Sequence, residues 1–254
     1  MPDDKTLLLR QRLQQIGDVL RTDPHGLGLL GLGSSGKELD RMDMYSDLDF
    51  FALVADGTKQ YFMEDLSWLG GIQPIAYCFR NSPDGYKLLF ADGVFCEFAI
   101  FEQAELSQIP FEEGVFIWRD PALAEQLASP YNSAHRFSDD VDYLLGELLT
   151  NLYVGLCRYR RGEKLSAMRF IQVYALDRLV NLLDLQLLPM QLARRDSFCI
   201  DRRAEQRHPH HTALFGKCLL SSDKLPEVAA TLLAFADQHY SVNSALKQQI
   251  EALL

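Results

Sequence analysis

No stretch of the chain approaches the roughly 20 consecutive apolar residues that a membrane span needs. The amino terminus, Met1-Pro2-Asp3-Asp4-Lys5, lacks the basic-then-apolar order of a secretory signal. Together these absences predict a cytoplasmic protein without a membrane partner. Cysteine is sparse: Cys78, Cys96, Cys157, Cys199 and Cys218 are scattered without the C-x-x-C spacing of zinc or redox chemistry, and are expected to be reduced, mostly buried thiols. Positive charge is in deficit, 25 Lys and Arg against 35 Asp and Glu, for a formal net charge of -10. A surface of that sign repels phosphate backbones, so nucleic acid is not the expected partner and a small neutral or cationic molecule fits better.

Two common phosphate-handling signatures are also missing. A P-loop needs Lys-Ser or Lys-Thr after its last glycine, whereas Gly36-Lys37-Glu38 supplies a lysine with the wrong neighbour. Neither H-R-D nor D-F-G occurs, which excludes a protein kinase. There is no internal repeat and no low-complexity tract.

What is present is an ordinary globular composition, 48% hydrophobic over 254 residues, enough for one large domain or two smaller ones with a sizeable core. Residues 6–21 place Leu7, Leu8, Leu13, Ile16, Val19 and Leu20 as an amphipathic helix would. Apolar runs at 26–33 and 50–54 predict two buried strands, and 58–69 suits a helix. Further strands are predicted at 74–79, 86–90, 94–101 and 115–118, the first three separated by the turn residues of 81–85 and Asp92-Gly93.

Ser129-Pro130-Tyr131-Asn132-Ser133 marks the boundary between a first domain, 1–134, and a second, 135–254. Beyond it the period becomes 3.6. Val141, Leu144, Leu145, Leu148, Leu152, Leu156 and Tyr159 form one stripe, and Leu165, Met168, Ile171, Ala175, Leu179 and Leu183 another. The expected fold class is α+β: an N-terminal mixed β-sheet flanked by helices, followed by a C-terminal helical bundle.

The chemistry gathers near Ser46-Asp47-Leu48-Asp49, read as the start of the second strand. Strand side chains alternate, so Asp47 and Asp49 project to one side. Magnesium prefers oxygen ligands and is usually held by one or two carboxylates together with substrate phosphates. Upstream, Gly33-Ser34 ends the first strand; glycine there lets phosphate oxygens approach backbone N–H groups, and Ser34 adds a hydroxyl. Glu97 lies mid-strand in Phe95-Cys96-Glu97-Phe98-Ala99, where a charge wants a partner unless it sits on the solvated face of an edge strand.

The Gly33-Ser34 pair, the dozen-residue gap, Ser46-Asp47-Leu48-Asp49-Phe50 and the later acid between hydrophobics resemble the DNA polymerase beta-like nucleotidyltransferase superfamily. The specific likeness covers about residues 26–101. The order of catalytic sheet and helical bundle is similar to the two-domain aminoglycoside and lincosamide antibiotic nucleotidyltransferases. The resemblance implies that Asp47 and Asp49 bind magnesium, that Gly33, Ser34 and Ser46 touch a nucleoside triphosphate, and that Glu97 is the third carboxylate, serving as metal ligand or as general base.

It also implies in-line attack of an acceptor hydroxyl on the α-phosphorus, with pyrophosphate departing, in a cleft between the two halves. The expected donor is ATP and the expected acceptor a small molecule such as an antibiotic. A homodimer is compatible with the resemblance, but no sequence feature requires one.

Two other classes are weighed. One is a catalytically inactive nucleotidyltransferase-like binding module of the antitoxin type, against which the intact acids argue. The other is a Rossmann oxidoreductase, because Gly31-Leu32-Gly33-Ser34-Ser35-Gly36 matches the dinucleotide fingerprint. That fingerprint should open a long helix, yet 36–45 is short and largely polar. His208-Pro209-His210-His211 is expected in an exposed loop, and Arg158, Arg160, Arg161 and Lys164 at an inter-helix turn as candidate triphosphate contacts.

Overall fold

A computed structural model of the chain describes residues 4–131, 137–192 and 195–254. It divides into two compact units, Met1–Ala134 and His135–Leu254. Asn132 and Ser133 of the expected boundary cluster lie outside the described residues.

In the first unit, α1 (Asp4–Thr22) precedes a mixed sheet of β1 (Gly26–Gly31), β2 (Leu48–Val54), β3 (Ile75–Arg80), β4 (Gly85–Phe90), β5 (Phe95–Glu102) and β6 (Val115–Arg119). The spatial order is β3-β4-β5-β2-β1-β6. Every neighbouring pair is antiparallel except β2 with β5. A parallel pair needs a crossover. Here it consists of α2 (Lys59–Glu64), α3 (Ser67–Gly70) and the β3–β4 hairpin.

Alternation decides what each strand buries. Leu48, Phe50 and Ala52 of β2, Cys96, Phe98 and Ile100 of β5, and Leu88 and Phe90 of β4 share one cluster with Leu9, Leu13, Ile16 and Leu20 of α1. The stacked rings of Phe50 and Phe98, 5.1 Å apart, lie within it. Leu9 rather than Leu7 takes the inner position on α1, since 9, 13, 16 and 20 keep to one helical face while Leu7 stands exposed. On the opposite face of the sheet, Phe51, Leu53 and Phe101 join a smaller cluster with Phe111. That leaves the leading ends of β2 and β5 with polar side chains on this face.

Three expectations need correction here. The first strand stops at Gly31 and a single turn, Gly33–Ser35, follows. The helix expected over 58–69 breaks into α2 and α3, because Asp65 is extended and its carboxylate accepts the Ser67 N–H at 2.8 Å and the Ser67 hydroxyl at 2.9 Å, a local turn that competes with helix continuation. The cysteines are all thiols, but only Cys96 and Cys218 are buried, while Cys78 and Cys199 are exposed.

The second unit is helical, as expected. Its α4 (Val141–Arg160) is capped by Asp140, which accepts the Tyr143 N–H at 3.0 Å. Next come α5 (Lys164–Met168), a π-helical segment Arg169–Ala175 and α6 (Leu176–Asp184), then short helices at Pro189–Leu192, Ala204–Arg207 and Thr212–Cys218, and last the helices Leu225–His239 and Ser244–Glu251. Leu144, Leu148, Leu152 and Leu156 pack with Leu225, Val228 and Leu232.

Ile171, Ala175, Leu179 and Leu183 of the second stripe are buried as expected and Met168 packs against them, but Leu165 is 76% exposed, and Val141 at the head of the first stripe is exposed too. The buried set is Ala167, Ile171, Ala175, Leu179 and Leu183, every fourth residue. In a pure α-helix such a row drifts by about 40° per step. The wider turns of the π segment take back that drift and keep the row on the core.

The polar stretch after α6 is anchored by a buried charge. Asp184, 1% exposed, accepts Arg207 Nε at 3.1 Å and faces His208 Nε2 at 2.7 Å. Arg207 also donates to the Ile200 and Arg202 carbonyls. His208 is therefore buried, contrary to the exposed loop expected, because its ring is drawn in by that carboxylate; His210 remains exposed. Removing one partner of a buried pair strands the other. Asp184→Ala should lower the unfolding free energy by about 3–5 kcal/mol in denaturant titration; a loss below about 1 kcal/mol would show that the cluster does not anchor the stretch.

Candidate active site

The strand pair that carries the acids starts late. β2 begins at Leu48, so Asp47 stands one residue before the strand rather than on it, and Asp49 is its second residue. The reason is the turn just upstream. The Asp43 N–H donates to Ser46 Oγ at 3.0 Å, the Ser46 hydroxyl donates to Asp43 Oδ1 at 3.1 Å and the Ser46 N–H donates to the Asp43 carbonyl at 3.1 Å. Ser46, expected to meet a triphosphate, has its hydroxyl engaged in closing this turn.

In the parallel ladder Asp49 is the direct partner of Glu97. Direct partners on neighbouring strands, about 4.8 Å apart, present side chains to the same face. β5 lies between β4 and β2, so Glu97 is on the open face of an interior strand, not an edge strand. Its carboxylate is held on both oxygens: Asn81 Nδ2 donates to Oε1 at 3.0 Å, and Lys87 Nζ stands 3.1 Å from Oε2.

The glycine loop is tied to Asp49 from both sides. The Leu32 N–H donates to the Asp49 carbonyl at 2.9 Å, and the Asp49 N–H donates to Ser35 Oγ at 3.1 Å. Gly33 has φ +48°, and a β-carbon there would stand 4.0 Å from Asp49 Oδ2 and 3.7 Å from Arg41 Nη2. Arg41 itself pairs with Glu38 at 2.7 Å. Gly36 approaches so closely that a β-carbon on it would meet the Gly31 carbonyl at 2.1 Å.

The loop thus brings Gly33 beside Asp49. Ser34 is buried at 4% exposure, so its hydroxyl is not on the surface. Ser35 was missed by sequence reasoning, although an aspartate entering a strand after a loop needs an acceptor for its N–H.

Among the described residues no three His, Cys, Asp or Glu side chains gather closely enough to hold a metal ion. The half-buried Asp47 and Asp49 offer a two-carboxylate set of hard oxygen donors. That set suits magnesium, which keeps several waters and shares its shell with substrate phosphates. The dinucleotide fingerprint fails on structure: its glycines lead into one short turn, and β1 runs antiparallel to β2.

The second unit has a cavity of about 320 Å³, lined by Phe137, Asp177, Arg178, Phe198, Ile200 and Asp201. Burial first, then the neighbouring carboxylate of Asp201, push Asp177 up to about 6 against the pull of Arg178. The expected triphosphate-contacting cations are engaged within this unit. Arg158 donates to Ser166 Oγ at 2.6 Å, Arg160 to the Leu253 carbonyl at 2.9 Å, and Arg161 pairs with Glu163 at 2.9 Å.

No protein-family model matches the chain, and no curated protein sequence matches it significantly. Among the solved structures that are similar to it are three. An aminoglycoside 6-adenyltransferase from Bacillus subtilis aligns over 96% of this chain and 97% of its own, at 11% identity and a TM-score of 0.41. A STING-associated CdnE c-di-GMP synthase from Capnocytophaga granulosa aligns over 98% and 78%, at 12% identity and a TM-score of 0.32. The Thermotoga maritima CCA-adding enzyme, complexed with tRNA, aligns over 98% and 69%, at 13% identity and a TM-score of 0.38. Likeness this remote leaves the chemistry to be argued from the chain's own residues.

Two outcomes follow from the site and the cavity. Ser35→Ala leaves the Asp49 N–H without its acceptor and should cost about 1–3 kcal/mol of stability in denaturant titration; an unchanged midpoint would show that the clamp is idle. Asp177 has a folded value above the ordinary 3.8, so folding favours its protonated form. That contribution is present at low pH and is lost as pH rises through about 6. Asp177→Asn should therefore raise Tm at neutral pH, with the gain vanishing near the ordinary value of 3.8; a gain independent of pH would contradict this.

Proposed function

We propose that the chain is a nucleotidyltransferase that moves AMP from ATP to a hydroxyl of a small molecule, releasing pyrophosphate. The observation that carries this reading is the register of β2 and β5, which sets Asp49 opposite Glu97, with Asp47 two residues earlier and Gly33 alongside. In this reading Asp47 and Asp49 hold magnesium. Gly33 and Ser34 offer backbone to the triphosphate with no large side chain intervening. Magnesium, when bound, supplies charge stabilisation to the attacking and leaving oxygens.

Glu97 acts as the general base in this reading, standing directly across the ladder from Asp49 with its carboxylate oriented by Lys87 and Asn81. It takes the proton of the acceptor hydroxyl as that oxygen bonds to the α-phosphorus. The bond from the α-phosphorus to the bridging oxygen of the β-phosphate breaks, and pyrophosphate leaves.

The acceptor in this reading is a cationic polyhydroxylated compound of the aminoglycoside type. The net charge of -10 repels polyanionic acceptors and favours a cationic one. The absence of a three-ligand cage among the described residues favours, as a second reading, a nucleotide-binding module that does not turn over.

Pyrophosphate release from ATP and magnesium with a panel of aminoglycosides separates the two. The first reading predicts acceptor-dependent release that Asp47→Asn or Asp49→Asn lowers at least a hundredfold, with little change in stability, since removing clustered like charge relieves repulsion. Release retained in either variant would sink the assignment; ATP binding without release would favour the module.

A further inference from the structure

The β3–β4 hairpin does more for Glu97 than supply a neighbouring strand. Lys87 on β4 is the direct cross-strand partner of Glu97 on β5, just as Glu97 is the partner of Asp49 on β2. Three charged side chains therefore stand in one row across the open face of the sheet. At the hairpin tip the Asn81 N–H donates to the Gly85 carbonyl at 3.2 Å, closing the turn.

Gly85 is what lets the tip lie this close. A β-carbon there would meet the Phe98 carbonyl at 2.8 Å and Asn81 Oδ1 at 3.2 Å. The Asn81 amide rests in that space and turns its Nδ2 to Glu97 Oε1, while Lys87 Nζ takes Oε2. One donor on each oxygen, from two points of the same hairpin, specifies the plane of the carboxylate and leaves each oxygen a second acceptor site.

Energetics argue that this arrangement is not there for stability. Lys87 and Glu97 have side chains 42% and 43% exposed, and ion pairs so exposed contribute little to folding. What the two donors do supply is direction, because an unrestrained glutamate at a strand surface samples several rotamers.

We propose that Lys87 and Asn81 are positioning residues that aim the Glu97 carboxylate at the acceptor hydroxyl during transfer. This rests on the reading of Glu97 as the base. Neither residue touches the reacting atoms; both act through Glu97, which keeps its remaining lone pairs for the incoming O–H.

A residue that acts only through another has no effect once that other is gone, so a double-mutant cycle tests the proposal. The assay is pyrophosphate release from ATP and magnesium with the aminoglycoside panel, at a common pH, for wild type, Lys87→Met, Asn81→Ala, Glu97→Gln and the doubles with Glu97→Gln. Lys87→Met should lower kcat roughly ten- to a hundredfold, the scale of a misplaced reacting group. KM for ATP should stay within about twofold, as expected when an interaction made only in the transition state is lost. Asn81→Ala should lose less, and Lys87→Arg should recover most of the rate.

In the Glu97→Gln background neither substitution should reduce the rate further. Calorimetric affinity for a non-hydrolysable ATP analogue with magnesium and the thermal midpoint should both match wild type in Lys87→Met. Multiplicative loss in the Glu97→Gln background, or a loss confined to KM, would assign Lys87 to substrate binding and overturn the proposal alone. Full activity of Glu97→Gln, or no release by the wild type with any acceptor, would instead overturn the reading of the site on which it rests.

Discussion

The parallel pairing of β2 with β5 is the constraint on which the site depends. An antiparallel neighbour would have put the head of one strand beside the tail of the other. Parallel pairing sets two strand heads side by side, so Asp49 and Glu97 meet directly across the ladder. The crossover that parallel pairing demands is put to use, since the β3–β4 hairpin within it supplies Lys87 and Asn81 to Glu97. The same ladder drives Leu48, Phe50, Cys96 and Phe98 into the core beneath. The apolar alternates anchor the strands, and the polar alternates are left to chemistry.

The glycine loop is the second element of the arrangement. Asp49 is clamped through its backbone, by Leu32 on its carbonyl and Ser35 on its N–H. Gly33 and Gly36 are needed for different reasons: one takes a positive φ beside the carboxylate, and the other comes too near the Gly31 carbonyl to carry a side chain. A compact turn therefore replaces the long helix that the same glycine spacing announces in a dinucleotide-binding fold.

Much of this was legible in the residues. All six strands were marked by apolar runs, Asp47 and Asp49 by their D-x-D spacing and Glu97 by an acid between hydrophobics. What was not legible required knowing which strands are neighbours. Lys87 reads as an ordinary surface lysine until β4 is laid beside β5, and Ser35 as a second serine in a loop until the Asp49 N–H is seen to donate to it.

In the second unit the apolar period was right along most of both stripes and wrong at their heads, Val141 and Leu165. Leu165 fits a 3.6 stripe in sequence, but Ala167 takes the buried position in this first turn while Ile171, Ala175, Leu179 and Leu183 keep theirs. His208 reads as exposed because its partner, Asp184, lies 24 residues away on α6. Short-range patterns could not see either fact, since both depend on packing between elements distant in the chain.

The central claim is that the carboxylates heading β2 form a nucleotide site that works through magnesium. Calorimetric titration of ATP and GTP into the protein, with and without magnesium and repeated on Asp49→Asn, tests it most directly. The account predicts triphosphate binding that requires magnesium and is lost in the variant. Binding that is indifferent to magnesium and to Asp49, or no triphosphate binding at all, would contradict it.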